Sequence, residues 1–304
     1  MVNLQKQGLV ALQDLSKQDI LDILAHAKQF KNGLRKNTLE GKVLASCFFE
    51  ASTRTRLSFE SAVAHLGGKT IGFADSSATS QANKGESFID TLKMINCYAD
   101  GLIMRHPNDG AARLASEIMT IPVVNAGDGA NQHPTQTLLD LFSIQDSQGQ
   151  LEDINLGLMG DLKYSRTIHS LIDASKLFKM RLFLIAPPEL RIDSQNLMEL
   201  KRHGISYSFH ATAEEVIDKL DCLYLTRLQK ERFSAEINCS YGIDLELLQR
   251  ARPNLRIMHP LPRLEELPTE IDATPYAYYF QQAHNGLFIR QALLDIIFGG
   301  SQND

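Results

Sequence analysis

Short apolar runs alternate with amphipathic segments along nearly the whole chain, and no other feature limits its fold as much. Residues 43–49, 70–73, 102–104 and 123–125 read as buried strands. Between them, residues 53–66, 87–98 and 111–119 space their apolar side chains three to four apart, as a helix with one face in a core does. Gly67-Gly68 is a stop signal for the first of these helices. A helix over 135–144 and a polar stretch at 145–150 end the run, and the pattern restarts. Residues 155–160, 181–186, 205–210, 222–226 and 256–258 read as strands, separated by helices over 166–178, 195–203, 213–220 and 245–251. Strands that alternate with helices imply parallel sheets covered on both faces. The expected class is therefore α/β, with two doubly wound domains of four and five strands. A length of 304 residues fits two domains at roughly 150 residues each. The expected division is 1–146 and 147–284. The final apolar helix, inside 285–304, has no strand after it and is expected to pack back on the first domain.

Composition excludes several classes of protein. Hydrophobic residues make up 43% and charged residues 22%, which excludes a disordered or fibrous chain. A net charge of −5, from 31 Lys+Arg against 36 Asp+Glu, argues against nucleic acid as a partner. It does not argue against one local anion site, because net charge averages over the whole surface. No apolar run approaches a membrane span, and the first residues lack a secretory apolar core. Cys47, Cys97, Cys222 and Cys239 are scattered, without the C-x-x-C spacing of a metal or redox site. Cys47 and Cys222 lie in apolar runs and read as buried thiols. A cytoplasmic protein without metal or structural disulfide is expected.

In open α/β sheets, ligands bind beyond the carboxyl ends of the strands. Six of the predicted strands are followed there by polar, largely cationic residues. They are Glu50 to Arg56 with the run Ser52-Thr53-Arg54-Thr55, then Arg105-His106-Pro107, then Gly127-Asp128-Gly129 with His133-Pro134-Thr135-Gln136. The second half adds Asp161 to Arg166, Arg227-Leu228-Gln229, and His259-Pro260-Leu261-Pro262-Arg263. Taken singly, each reads equally as caps, turns and surface arginines. Taken together, they point to an anion-binding crevice between the domains. The Ser52–Thr55 run starts a helix, whose free N–H groups and dipole favour an anion, and its hydroxyls and guanidinium suit a phosphate. There is no G-x-x-x-x-G-K-[ST] nucleotide loop. Arg105 could complete a bidentate phosphate clamp. His133 and Gln136 share a helix face and suit a carbonyl–amide group. Arg166, Arg227 and Gln229 suit a dicarboxylate. Two long stretches, 75–86 and 229–243, are polar and without periodicity, as binding loops or plain surface excursions are.

Phe48 to Glu60, reading FFEASTRTRLSFE, resembles the carbamoyl-phosphate signature of the transcarbamoylases. Met104–Pro107, His133–Gln136, Gly160–Tyr164 and His259–Arg263 are similar to the aspartate-specific branch of that family, in order and at matching spacing. The ornithine-specific branch typically carries a cysteine where this chain has Pro260. Ornithine would also need an acidic or neutral pocket, where this chain offers Arg227 and Gln229. A non-catalytic member of the family should have lost one of these clusters, and this chain keeps them all.

The resemblance implies transfer of the carbamoyl group from carbamoyl phosphate to the α-amine of L-aspartate, without a cofactor, at the committed step of de novo pyrimidine (UMP) synthesis. It implies that Ser52, Thr53, Arg54, Thr55 and Arg105 hold the phosphate, and that Thr55, Arg105 and His133 direct donors at the carbonyl oxygen. The catalytic set is then Arg54, Thr55, Arg105 and His133. Gln136 and the 261–262 segment, Leu261 and Pro262, would take the carbamoyl NH₂. Arg166, Arg227 and Gln229 would hold the aspartate carboxylates. Ser80 and Lys84 match residues that family members insert into a neighbouring subunit's site, where they meet carbamoyl phosphate and, for Lys84, aspartate. That implies a homotrimer with active sites in the domain cleft and at the subunit interface. Association with a zinc-bearing regulatory chain is left open. Ser165 stands where the family has Gly, and 233–243 departs from the family's closing loop, which puts cooperativity in doubt.

Overall fold

A computed structural model describes residues 2–228 and 241–301. The chain divides into two compact units, Met1–Leu139 with His284–Asp304, and Asp140–Ala283. Each is built on one five-stranded, all-parallel sheet.

In the first unit the strands are β1 (Gly8–Leu9), β2 (Val43–Phe48), β3 (Lys69–Phe73), β4 (Gly101–His106) and β5 (Val123–Asp128), in spatial order β1-β5-β4-β2-β3. Central strands with helices on both faces are buried throughout, and Leu44–Phe48 and Val123–Asp128 are buried without interruption, with the Asn125 Nδ2 donating to Asp128 Oδ1 at 2.9 Å. β3 is an edge strand and most of it is exposed. Ala45, Cys47, Leu102, Met104 and Val123 form the core on one face, against Leu92, Ala112 and Ala115 of the helices Phe88–Asn96 and Ala111–Ile118. The helix Thr53–His65 ends as the sequence predicts. Gly67 is left-handed at φ 82°, and the Gly67 and Gly68 N–H groups donate to the Ala64 and Val63 carbonyls at 3.1 and 3.0 Å.

In the second unit the strands are β6 (Asn155–Met159), β7 (Arg181–Ile185), β8 (Tyr207–His210), β9 (Cys222–Leu225) and β10 (Arg256–Met258), in order β10-β9-β6-β7-β8. The chain winds outward from β6 in both directions, so the switch point lies between β6 and β9. Val216, Ile217, Leu220, Leu223, Leu225, Leu255 and Ile257 fill the core on one face.

The two parallel sheets are as expected, but several local readings change. The strand read as buried at 70–73 is largely exposed, the helix at 245–251 spans only Leu245–Leu248, and the last helix begins at Tyr279. β1 adds a fifth strand to the first sheet. An unforeseen helix, Lys17–Lys31, starts on a capping box in which Ser16 and Asp19 bond each other's backbone. Residues 213–220 form two three-residue turns, Ala213–Glu215 and Ile217–Lys219, because Val216 between them leaves the helical region at φ −142°. Residues 75–86 are not plain loop but hold a turn, Ser76–Ala78, and a short helix, Ser80–Lys84. The second long stretch lies mostly outside the described residues, as does Cys239. Cys47, Cys97 and Cys222 are free thiols, and burial pushes the Cys47 thiol up to about 12. No described helix is long and apolar enough to cross a membrane.

Candidate active site

All strands of each sheet are parallel, so the residues that follow them collect along one edge. In the first unit, β2, β4 and β5 are consecutive neighbours, and they carry Ser52–Thr55, Arg105 and His133 beyond or at their ends. Ser52 is the N-cap of the helix Thr53–His65, yet its side chain makes no capping hydrogen bond. A capping serine ordinarily satisfies the N–H of the third helical residue. Here that first turn stays open to an external acceptor. Thr55 is buried in the same turn.

Arg54 lies within reach of the Arg105 charge. Arg54 is exposed by surface, but its guanidinium is partly desolvated. Desolvation, with the nearby Arg105 charge, holds it below the ordinary arginine value. Arg105 lies beside Phe48 in the register of β4 on β2 and is mostly buried. Its Nε and Nη2 both donate to Glu50 Oε2 at 2.9 Å. Arg56 turns away and pairs with Glu60 at 3.6 Å, and Glu60 accepts from Ser46 at 3.0 Å, so this arginine braces the helix. His133 is buried and precedes the helix Pro134–Gln148, and its carbonyl accepts the Gln136 N–H at 2.9 Å, which puts both residues in one turn. The neighbouring His106 is packed among Phe49 and Phe88, and burial, against the pull of Asp128 and Glu50, lowers its pKa. Ser80 and Lys84 are exposed on their own short helix beyond β3.

In the second unit, Arg166 opens the helix Arg166–Phe178 after β6, and Arg227 follows Thr226 at the end of the adjacent β9. The two loops are tied together. The Thr226 N–H donates to Met159 O at 3.0 Å, and the Asp161 N–H donates to the Thr226 hydroxyl at 3.2 Å. The Arg227 Nη1 donates to Leu228 O at 3.4 Å. Gln229 lies outside the described residues. Leu261 and Pro262 follow β10, which borders β9. Leu261 is left-handed at φ 55°, and its N–H donates to His259 Nδ1 at 2.8 Å. A cavity of about 290 Å³ opens near the ends of β6 and β7, lined by Met159, Ile185, Thr212 and Tyr241, and none of the expected site residues lines it.

Sequence reasoning missed Glu50 as the partner of Arg105, and at Gly160, which it singled out only within a motif, it missed the close approach of the backbone. Gly160 sits at φ +117° with Thr226 O so near that only glycine fits. The residues that fix Leu261 were also missed, apart from His259 itself.

Family models match both halves of the chain. Residues 7–146 match "Aspartate/ornithine carbamoyltransferase, carbamoyl-P binding domain", and residues 152–297 match the "Asp/Orn binding domain" of the same family. The chain belongs to the aspartate/ornithine carbamoyltransferase family. It is 53% identical to the aspartate carbamoyltransferase catalytic subunit of Wigglesworthia glossinidia brevipalpis, across 95% of this chain and 96% of that one. The catalytic subunit of M. Jannaschii aspartate transcarbamoylase superposes with a TM-score of 0.90 at 41% identity, covering 98% of this chain and 100% of that one. The aspartate transcarbamoylase of Trypanosoma cruzi, solved in complex with carbamoyl phosphate and aspartate, superposes with a TM-score of 0.88 at 36% identity, covering 96% and 97%. The anion-suited strand ends of the first unit thus fall in the part matched by the family's carbamoyl-phosphate domain, and Arg166 and Arg227 in the part matched by its acceptor domain.

Proposed function

We propose that this chain transfers the carbamoyl group of carbamoyl phosphate to the α-amine of L-aspartate, giving N-carbamoyl-L-aspartate and phosphate. The first domain, 1–146 with 285–304, takes carbamoyl phosphate, and the second, 147–284, takes aspartate. One observation carries the reading above the others. The helix Thr53–His65 starts just beyond β2 on a turn that the Ser52 side chain leaves uncapped, and Arg54 in that turn lies near enough to Arg105 of β4 for their charges to interact. An open helix turn and two guanidiniums suit a phosphate dianion.

The aspartate nitrogen, deprotonated, forms a bond to the carbamoyl carbon. The carbon–oxygen bond to phosphate then breaks, the electron pair leaves with the phosphate, and the departing phosphate accepts the proton lost by nitrogen. Ser52, Thr53, Arg54, Thr55 and Arg105 hold the phosphate. Thr55, Arg105 and His133 donate to the carbonyl oxygen as its negative charge builds, and such preorganised donors are each worth about 10²–10³-fold. Gln136 and the Leu261 carbonyl, with Pro262 shaping the turn, receive the carbamoyl NH₂. Arg166, Arg227 and Gln229 hold the two carboxylates, and fixing both anions together adds an entropic gain.

The active unit is a homotrimer in which Ser80 and Lys84 serve a neighbour's site. Support comes from the first unit's surface, where Leu57, Ile71, Ile89, Met94 and Tyr98 are exposed and β3 offers an unpaired edge beside the Ser80–Lys84 helix. The free thiols suit a reducing cytoplasm. Colorimetric detection of carbamoyl aspartate tests the reaction. Product with aspartate and none with ornithine is expected, and no product from aspartate refutes the reading.

A further inference from the structure

Leu261 holds a left-handed backbone conformation that a leucine does not favour, so something must hold it there. The structure shows what does. His259 is 2% exposed and sits at the centre of a chain of buried hydrogen bonds. Its Nδ1 accepts the Leu261 N–H at 2.8 Å, and its Nε2 lies 3.1 Å from Glu266 Oε1. A backbone N–H can only donate, so Nδ1 carries the lone pair and Nε2 carries the hydrogen that goes to Glu266. Glu266 Oε1 also accepts the Leu264 N–H at 2.8 Å. Burial works to raise the Glu266 carboxyl, but the bonds from His259 and Leu264 outweigh it and hold it below the ordinary glutamate value.

On the other side, the His259 N–H donates to Gln282 Oε1 at 2.8 Å, and Gln282 Nε2 donates to Asp140 Oδ1 at 2.6 Å. The second Asp140 oxygen accepts the Tyr224 hydroxyl at 3.0 Å. The Gln282 amide has one possible orientation, because its oxygen must meet an N–H and its nitrogen a carboxylate. Asp140, Tyr224 and Gln282 are at most 1% exposed. The chain therefore runs from the helix Pro134–Gln148 and strand β9, through the helix Tyr279–Phe298, to the turn after β10. Buried networks satisfied at every member are rigid, and they specify one geometry.

We propose that His259 is a positioning residue, held by Glu266 and by Gln282 with Asp140, that fixes the Leu261 peptide as the recognition element for the carbamoyl NH₂. This rests on the function proposed above, in which the 261–262 segment meets that group. The consequence is selectivity. The Ser52–Arg105 cluster binds phosphate whether or not it is carbamoylated, and the Leu261 peptide adds affinity only for carbamoyl phosphate.

Two substitutions separate positioning from mere stability. His259→Asn retains an oxygen near the Nδ1 position to accept from Leu261 and loses the bond to Glu266. His259→Gln places its polar end near Nε2 and loses the bond to Leu261. Calorimetric titration of the full chain, in its native assembly, with carbamoyl phosphate and separately with inorganic phosphate gives the ratio of the two affinities. One lost hydrogen bond at the recognition peptide corresponds to about a ten-fold fall in that ratio for His259→Gln. His259→Asn stays within about three-fold of the wild type, although both variants unfold at lower urea. Equal ratios in the two variants, or a parallel fall in phosphate affinity, would overturn the proposal. Should His259→Gln not fold, Glu266→Gln serves instead. It keeps an oxygen for both donors but lowers its charge, and the expected loss is about three-fold in the ratio; an unchanged ratio overturns the proposal. A wild-type chain that binds carbamoyl phosphate no more tightly than phosphate would refute the functional reading itself. Discrimination by the wild type, with no difference among the variants, would refute only the role of His259.

Discussion

Replacing Gly160 by alanine tests whether the acceptor residues depend on the close approach of two strand ends. Gly160 has φ +117°, and a Cβ there would lie 2.2 Å from Tyr241 Oη and 2.4 Å from Thr226 O. Tyr241 is the end of a side chain and can swing aside. Thr226 O is backbone, next to Arg227, and ordinary contact begins near 3.4 Å, so the strand end must retreat by about 1 Å. Alanine in a disfavoured positive-φ conformation costs about 1–2 kcal/mol, and forcing the backbone apart about 1–3 kcal/mol more. A total of about 2–5 kcal/mol leaves a typical domain folded but weakened. Displacing a substrate-holding group by about 1 Å costs on the order of 10²-fold. Gly149→Ala is the control, since Gly149 has φ +82° with nothing within 4 Å of its Cβ. Urea unfolding and aspartate saturation curves are measured for both variants. Both should lose the strain component of stability, and only Gly160→Ala should raise the aspartate KM by about 10²-fold. The carbamoyl-phosphate KM should move less than about two-fold, because the phosphate-holding residues lie in the other unit and Leu261 follows β10, a strand that does not carry Gly160. Superimposable aspartate curves for the two variants would refute the reasoning.

Four further outcomes are expected. Arg54→Ala and Arg105→Ala should each lower kcat by about 10²–10³-fold in the carbamoyl aspartate assay, and near-normal turnover in either removes that residue from the phosphate clamp. Glu50→Gln should tighten phosphate binding in calorimetry by about two- to five-fold, since a half-exposed ion pair of under about 1 kcal/mol no longer competes for Arg105; weaker binding would mean that Glu50 props Arg105 toward the ligand. Arg54→Ala chains mixed with Lys84→Ala chains should regain activity through hybrid sites, and the absence of any gain counts against sites shared between subunits. Burial opposes ionisation of Asp295, but hydrogen bonds from His26, Lys36 and Thr38 prevail and lower its carboxyl from 3.8 to about 2. A depressed carboxyl stabilises the fold above its unfolded value, and that stability is lost as pH falls from about 4 through about 2. Asp295→Asn should therefore cost on the order of 2 kcal/mol at neutral pH and flatten the acid limb of the urea midpoint against pH, and an acid limb like the wild type's would contradict the assignment.

The framework was legible in the sequence because parallel strands buried on both faces are continuous apolar runs, although 70–73 imitates such a run on the exposed edge strand β3. Residues 166–178 are helical over the range expected, Arg166–Phe178. β1 was not legible, since a two-residue strand has no periodicity, and it exists only through its pairing of Gly8 with Val123 on β5. The helix Lys17–Lys31 was legible and overlooked, for the Ser16 to Asp19 capping box announces it. The cationic clusters could be found because the alternation of strands and helices fixes which end of every strand carries the ligand. The support of Leu261 could not. Tyr224 meets Asp140 across 84 residues and Gln282 meets it across 142, and no local pattern encodes such pairs.

The arginine pair shows how a chain with a net charge of −5 builds an anion site. Glu50 takes Arg105, and Arg54 lies close enough to feel the Arg105 charge. Burial, with the Arg105 charge added to it, weighs against the Arg54 guanidinium, and a strand and a helix anchored in the core hold the two arginines in place. Attraction to the two guanidiniums grows with the negative charge placed beside them. It is larger for a leaving phosphate that gains an electron pair than for the acyl phosphate that entered. An interaction that strengthens along the reaction lowers the barrier as well as binding the substrate. For that reason loss of either arginine should appear in kcat, and a change confined to KM would mean that the pair only gathers substrate.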